Sequence, residues 1–393
     1  MPRPASDSTT QSGAHPVAVG VPGGDAVPAR LSRLLDVVGR GERALLCTHD
    51  NPDPDSIASA FALGALLEAR RGVSYTLTYG GVLGRAENRA MVKLLKIPLV
   101  PIHKVDLTAY DVVGLVDTQP EVGNHALTAE RAAGKRMLCI DHHPAREGSK
   151  DAAFADVGDD YGATSSLLVH YLDAAGVTPS RTLATALFYG VKSDTRDLGR
   201  EVGPRDLWAY TKLISLCDMT VISQIEHPPL PRAYFTVLMR AVKNATVYGG
   251  DIAACDLGTV YVPDLVAETA DRLATAEGIR WSVVVGEHEG AVYASLRVND
   301  RRYSAGKLVR EAIVHFPTGS AGGHGSMAGA RVPIPSTNKS ASGHARVRRA
   351  LLDRILAELD VDENTSVERF CAPESKVMEP SGPLFRPVTA PRS

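Results

Sequence analysis

The chain has 393 residues, 44% hydrophobic and 22% charged, with 43 Lys+Arg against 45 Asp+Glu for a net charge of −2. At about 150 residues per domain that length calls for two domains, with enough apolar material to form cores without disulfide or metal staples. Near-neutral charge and only 5% aromatics exclude a protein that wraps long nucleic acid, which needs a broad basic surface and stacking platforms; a short nucleotide in a pocket stays allowed.

No apolar run is long enough to span a bilayer, and no basic region precedes an apolar stretch at the N-terminus, so neither a membrane span nor a signal peptide is expected. The cysteines Cys47, Cys139, Cys217, Cys255 and Cys371 are scattered and form no CxxC pair. They read as reduced thiols of a cytoplasmic protein.

Residues 1–30, rich in Pro, Gly, Ser and Thr, read as a disordered tail. Ala44–Thr48 is a short apolar run of the kind found in buried parallel strands. An apolar-rich helix follows from Ser56 to about Arg70, with Ser56 or Asp55 as its cap. Further strands are expected at Ser74–Tyr79, Val112–Val116 and Met137–Ile140. Helices are expected at Glu87–Leu95, Ala163–Ala175, Thr182–Lys192 and Pro204–Cys217. Strands alternating with helices imply βαβ units and a parallel sheet.

The breaker cluster Pro228-Pro229-Leu230-Pro231 marks a domain boundary. Residues 228–245 then form a linker and connecting helix. A second domain over 246–362 contains strands at Thr246–Asp256, Trp281–Val285 and Ala291–Val298. Its helices are expected at Asp264–Ala276 and Ser304–His315, with a last amphipathic helix marked by Leu351, Ile355 and Leu359. Residues 363–393 read as a Pro-rich tail. The fold class is α/β: a parallel-sheet domain over 31–227 with helices on both faces, plus a smaller C-terminal α/β domain.

Where Asp and His fall carries the chemistry. The first strand runs into His49, Asp50, Asp53 and Asp55; the next such strand ends in Asp117, and another in Asp141-His142-His143. An apolar helix ends at Asp194. Carboxyl ends of strands line the ligand crevice of an open parallel sheet, so four segments deliver carboxylates and imidazoles to one edge. A lone Asp after a strand is ordinarily a turn residue or helix cap, but four such segments are not explained that way. So many carboxylates need a counter-charge. Mixed Asp/His without Cys suits Mn²⁺ or Mg²⁺ ahead of Zn²⁺ or Co²⁺, and a carboxylate-bridged pair of cations would acidify a water and clamp a phosphoryl group.

These segments resemble the DHH phosphoesterase superfamily, named for a triplet matched here by Asp141-His142-His143. His49-x-x-x-Asp53-x-Asp55 matches its first motif, Asp117 the second and Asp194 the fourth, while Gly162-Ala163-Thr164-Ser165-Ser166 resembles the segment between the third and fourth. Gly322-Gly323-His324, followed by Ala328-Gly329, is similar to the GGGH signature of the DHHA1 substrate-binding domain, with Ala321 in place of the first glycine. The resemblance implies that His49 and Asp53 hold one metal, that Asp55, His142 and Asp194 hold another, and that Asp117 bridges them. It implies that His143 faces the substrate phosphate and that Asp141 orients the histidines. Gly322 and Gly323 would form a backbone nest for an anion, with His324 as a donor and Arg297 as a bidentate clamp. Arg302 and Arg331 are further phosphate contacts on this reading, with a solvated surface role at least as well supported.

The expected function is therefore a two-domain phosphoesterase in which a water activated by two divalent cations, Mn²⁺ first and Mg²⁺ or Co²⁺ as substitutes, hydrolyses a short oligonucleotide or phosphorylated nucleotide. The resemblance points to nanoRNA and 3′-phosphoadenosine 5′-phosphate. The alternative is a stand-alone phosphodiesterase for cyclic di-AMP or linear pApA. A non-catalytic nucleotide-binding protein ranks below both, because all six implied ligands are present. No long nucleic acid or membrane is expected as a partner, and a homodimer is allowed.

Overall fold

A computed structural model describes residues 26–300, 302–335 and 340–371. Of the tails expected at 1–30 and 363–393, residues 1–25 and 372–393 lie outside the described residues. The described chain divides into two compact units, one containing 26–83 and 87–227, the other 84–86 and 228–371.

The first unit contains, in order, α1 (Ala26–Val37), β1 (Arg43–Cys47), α2 (Pro54–Arg71), β2 (Ser74–Tyr79), α3 (Ala86–Leu94, its first residue grouped with the second unit), β3 (Leu99–Pro101) and β4 (Val112–Val116). It continues with α4 (Ala129–Ala132), β5 (Arg136–Asp141), β6 (Phe154–Val157), α5 (Thr164–Ala174), α6 (Arg181–Asp194), α7 (Pro204–Ile214) and α8 (Met219–Glu226). The strands form an all-parallel sheet of order β3-β2-β1-β4-β5-β6. Every position of β4 is buried, which is why it reads as an unbroken apolar run. On one face, Leu46, Leu77, Val112 and Leu138 pack beneath the longer helices. On the other, Leu45, Cys47, Val113 and Leu115 pack beneath Ile102, Leu127 and Ala132, carried by short helical turns and loops.

Chain order leaves β1 in opposite directions, toward β2 on one side and β4 on the other. That reversal opens a crevice at the carboxyl ends of β1 and β4, and His49 and Asp117 follow those two ends.

Several sequence expectations are corrected here. Residues 26–30 are not tail but the first turns of α1, because Val27, Leu31 and Leu34 bury one apolar face. The cap of α2 is Asp53, not Ser56 or Asp55: its carboxylate accepts the Ser56 N–H at 2.9 Å, and Pro54 occupies the first turn, where its missing N–H costs nothing.

The second unit contains α9 (Arg232–Asn244), β7 (Thr246–Tyr248), β8 (Ile252–Thr259), α10 (Asp264–Ala274), β9 (Trp281–His288), β10 (Ala291–Val298), α11 (Ala305–Ile313), β11 (Ser320–His324), β12 (Met327–Pro333), α12 (Ala341–Ala357) and β13 (Val367–Arg369). Its sheet has the order β11-β12-β10-β9-β8-β7-β13. The single strand expected over Thr246–Asp256 is a hairpin, because Gly249 and Gly250 both take positive φ (59° and 81°) and reverse the chain. Residues 367–369, expected in the tail, pair with β7. The Gly-Gly-His segment, expected as a backbone nest, is edge strand β11, antiparallel to β12. Gly323, with φ 132°, is needed there: a Cβ would lie 2.5 Å from Ala328 Cα.

Candidate metal centre

Three groups of donor atoms converge at the switch point: His49 with Asp53 and Asp117; Asp117 with His142 and His143; Asp55 with His142 and Asp194. Within each group the donors lie within 4.8 Å of one another. Asp117 links the sets through different oxygens. Its Oδ2 is 3.6 Å from His49 Nε2, and its Oδ1 is 3.6 Å from His142 Nε2. Asp194 Oδ2 lies 3.3 Å from the same His142 nitrogen. Asp117 takes a left-handed φ of 59° at the end of β4. A residue with a Cβ adopts that conformation at a cost, and such outliers concentrate at functional sites.

Both inward imidazoles are fixed by main-chain acceptors. His49 Nδ1 is 2.9 Å from Asp50 O and His142 Nδ1 is 3.2 Å from Tyr161 O. Carbonyls accept only, so Nδ1 carries the proton and Nε2 is left as the donor atom facing the carboxylates. This corrects one implied role. Asp141 orients His143 alone, at 2.7 Å from its Nδ1, while carbonyls orient His49 and His142. His143 is the most open of the three rings, with 36% of its side chain exposed. Burial disfavours its charged form, but the hydrogen bond and charge of Asp141 outweigh this and hold its pKa above the ordinary histidine value.

Asp55 sits where two main chains meet. Its oxygens accept the N–H groups of Thr164 (2.7 Å) and Ser165 (2.8 Å), the first residues of α5, which has no side-chain cap of its own. The carboxylate thus occupies a helix N-terminus, where unpaired N–H groups and the helix dipole favour an anion.

Three residues that sequence reasoning gave no role organise the donors. Thr164 Oγ1 donates to Asp117 Oδ1 at 2.8 Å and accepts the His142 N–H at 3.2 Å. With its own N–H on Asp55, Thr164 joins three of the four motifs. Gln119 Nε2 donates to Asp141 Oδ2 at 2.8 Å. Arg200 donates to Asp194 Oδ1 at 2.9 Å. Thr164 was visible as part of a motif-like segment; Gln119 and Arg200 follow Asp117 and Asp194 with no pattern to mark them.

The donors fit a divalent cation. Burial first, then the charges of Asp55, Asp53, Asp141 and Asp194, push the Asp117 carboxyl well above its ordinary range. Burial and the Asp53 charge raise Asp55 to about 6. Burial, with help from the charges of Asp55 and Asp53, raises Asp194 to about 6 despite the opposing pull of His142 and Arg200. The cluster is short of positive charge, and its ligand atoms are hard oxygens and imidazole nitrogens of the kind Mn²⁺ and Mg²⁺ take.

In the second unit, Arg297 is turned inward, which corrects its expected role as a clamp. Its Nε and Nη2 contact the Asp271 carboxylate, and its Nη1 donates to Ser295 Oγ and Leu296 O, both at 2.8 Å. Arg302 pairs with Asp300, and Arg331 donates to the Tyr293 hydroxyl. Gly322, Gly323 and His324 lie on edge strand β11, where alternate main-chain N–H groups face away from the sheet.

Comparison with known proteins follows the same division. The profile of the DHH family N-terminal domain matches residues 43–191, and that of the DHHA1 domain matches residues 249–350. The chain thus carries a DHH family N-terminal domain followed by a DHHA1 domain. It is 36% identical over 315 residues to the uncharacterized protein MJ1633 of Methanocaldococcus jannaschii, a match spanning 80% of this chain and 63% of that one. It is 23% identical over 279 residues to the cyclic-di-AMP phosphodiesterase GdpP of Geobacillus thermodenitrificans, covering 67% of this chain and 42% of the relative. An exopolyphosphatase-related protein from Bacteroides fragilis shares the fold, with a TM-score of 0.66 at 16% identity, over 85% of this chain and 98% of that one. No helix among the described residues is long and apolar enough to cross a membrane.

Proposed function

We propose that this DHH protein is a metal-dependent phosphoesterase acting on short nucleotide substrates. The observation that carries the reading is the Asp117 carboxylate, with one oxygen toward His49 and the other toward His142. His49 and Asp53 would hold one divalent cation, Asp55, His142 and Asp194 a second, and Asp117 would bridge them. Mn²⁺ is the preferred ion, with Mg²⁺ or Co²⁺ as substitutes. Bound there, the cations supply Lewis acidity toward a phosphoryl group and its attacking water.

The chain's own residues do the rest. Main-chain carbonyls keep His49 and His142 in one tautomer. Thr164 holds Asp117 and the His142 backbone in register. Asp141 favours the charged form of His143, so that this more open ring can meet an anionic phosphate. In the DHHA1 domain, the outward N–H groups around Gly322 and Gly323, with His324, would receive a terminal phosphate; Arg297 has no part in this.

The leading substrates are nanoRNA and 3′-phosphoadenosine 5′-phosphate, supported by the near-neutral, aromatic-poor composition. A cyclic dinucleotide or its linear product is the second reading, favoured by the similarity to two cyclic-di-AMP phosphodiesterases, GdpP and the PdeA protein of Listeria monocytogenes. A cytoplasmic location and a homodimer go with either. Comparing kcat/KM of the Mn²⁺-loaded protein on RNA dinucleotides, 3′-phosphoadenosine 5′-phosphate, cyclic di-AMP, linear pApA and pyrophosphate decides. Hydrolysis of one of the four nucleotides is expected, and turnover of pyrophosphate alone would overturn the proposal.

A further inference from the structure

Three consecutive non-glycine residues beyond the end of α6 adopt left-handed backbone: Arg196 (φ 48°), Asp197 (φ 56°) and Leu198 (φ 65°). A Cβ disfavours that conformation at each of them, so the surrounding structure must impose it. Thr195, fully buried, accepts the Leu198 N–H on its hydroxyl and the Arg200 N–H on its carbonyl. Asp197 is held by Lys192 Nζ at 3.1 Å and by the Tyr210 hydroxyl at 2.9 Å. Farther along, Glu201 O passes so close to Gly162 that a Cβ there would lie 2.4 Å from it. The turn is anchored at both ends.

Its product is the placement of Arg200, whose side chain is only 11% exposed. One nitrogen, Nη2, donates to both Asp194 Oδ1 and Asp194 O. Its Nε and Nη1 are buried with no hydrogen-bond partner among the described residues. Burying guanidinium donors unpaired is costly, so Arg200 is poorly explained as a residue kept for stability. What the arrangement achieves is an asymmetry in Asp194: Oδ1 is clamped, and Oδ2 is left 3.3 Å from His142 Nε2.

We propose that Arg200 is a positioning residue that makes Asp194 present a single oxygen to the cation shared with Asp55 and His142. This rests on the two-cation reading above. A carboxylate held by one oxygen cannot rotate into bidentate ligation, and the adjacent positive charge weakens its donor strength. Arg200 thereby sets the geometry and affinity of one cation without touching the other.

The test is a Mn²⁺ titration of the metal-free protein, followed by the EPR signal of free Mn²⁺, on wild type, Arg200→Met and Arg200→Lys. Thermal unfolding of each metal-free protein is measured alongside. Wild type should bind two ions. Arg200→Met removes the guanidinium and leaves the Asp194 carboxylate without its counter-charge, so its metal-free Tm should fall while the protein stays folded. One of its two ions should bind with an affinity changed by about 10–100-fold, the range for losing a group that orients a ligand, while the other binds as in wild type. Arg200→Lys should fall between.

Wild-type affinities at both sites in both variants would overturn the proposal. So would joint loss of both ions, which marks a structural role. Failure of the wild type to bind two ions would instead overturn the two-cation reading, and this proposal with it.

Discussion

At the scale of single residues, the site depends on groups that hold ligands as much as on the ligands. Asp117→Ala removes the anion between the two donor sets, and turnover should be abolished with both ions weakened; near-normal kcat with Mn²⁺ would contradict its role. Thr164→Val should lower kcat by about one to two decades, the size of a lost hydrogen bond to a charged group at about 1.5–3 kcal/mol, with Thr164→Ser recovering most of it. Equal kcat for the Val and Ser variants would show that the hydroxyl does not matter. The clustered Asp and His donors were legible because each stands at a strand or helix end beside its own motif. The Thr164 hydroxyl, Gln119 and Arg200 were not, because their roles depend on a strained turn or on chain far away in sequence. Arg297 was misread for the same reason: its partner, Asp271, lies on a different element.

At the scale of elements, two helices start on metal-site carboxylates: α2 on Asp53 and α5 on Asp55. Ligand geometry and helix stability are therefore coupled. Asp55→Ala strips two buried N–H groups of their acceptor, at about 1–3 kcal/mol for each group left unsatisfied. Asp55→Asn keeps one acceptor oxygen and removes the charge. The metal-free Asp55→Ala protein should thus melt below the Asn variant, and the reverse order in thermal unfolding would refute the capping role. The alternation of strand and helix was legible from apolar run lengths. What was lost were details set by turns: the Gly249-Gly250 hairpin, the Asp53 cap and the strand character of Ser320–His324, where small residues hide the β signal.

At the scale of the whole molecule, fold stability and metal binding share their titrating groups. Asp55 and Asp194 titrate near 6 in the fold against an ordinary 3.8, so what they contribute to the metal-free fold is complete below about 4 and is lost as pH rises through 6. His49 is raised to about 9, burial being outweighed by the charge and hydrogen bond of Asp53; its contribution is complete below its ordinary 6.5 and is lost as pH rises through 9. All three make the metal-free protein less stable toward high pH, where the deprotonated donors also bind cations best. Mn²⁺ should therefore raise Tm more at pH 8 than at pH 5, and equal shifts would contradict this linkage. The central claim is that the Asp/His cluster hydrolyses phosphoesters only with cations in place. The most direct measurement is hydrolysis of a linear dinucleotide by protein stripped of metal, then reloaded with Mn²⁺, with Asp117→Ala treated alike. The stripped protein should give no product, the reloaded protein should hydrolyse the dinucleotide and the variant should not; undiminished hydrolysis by stripped protein in excess chelator would contradict a role for the cations.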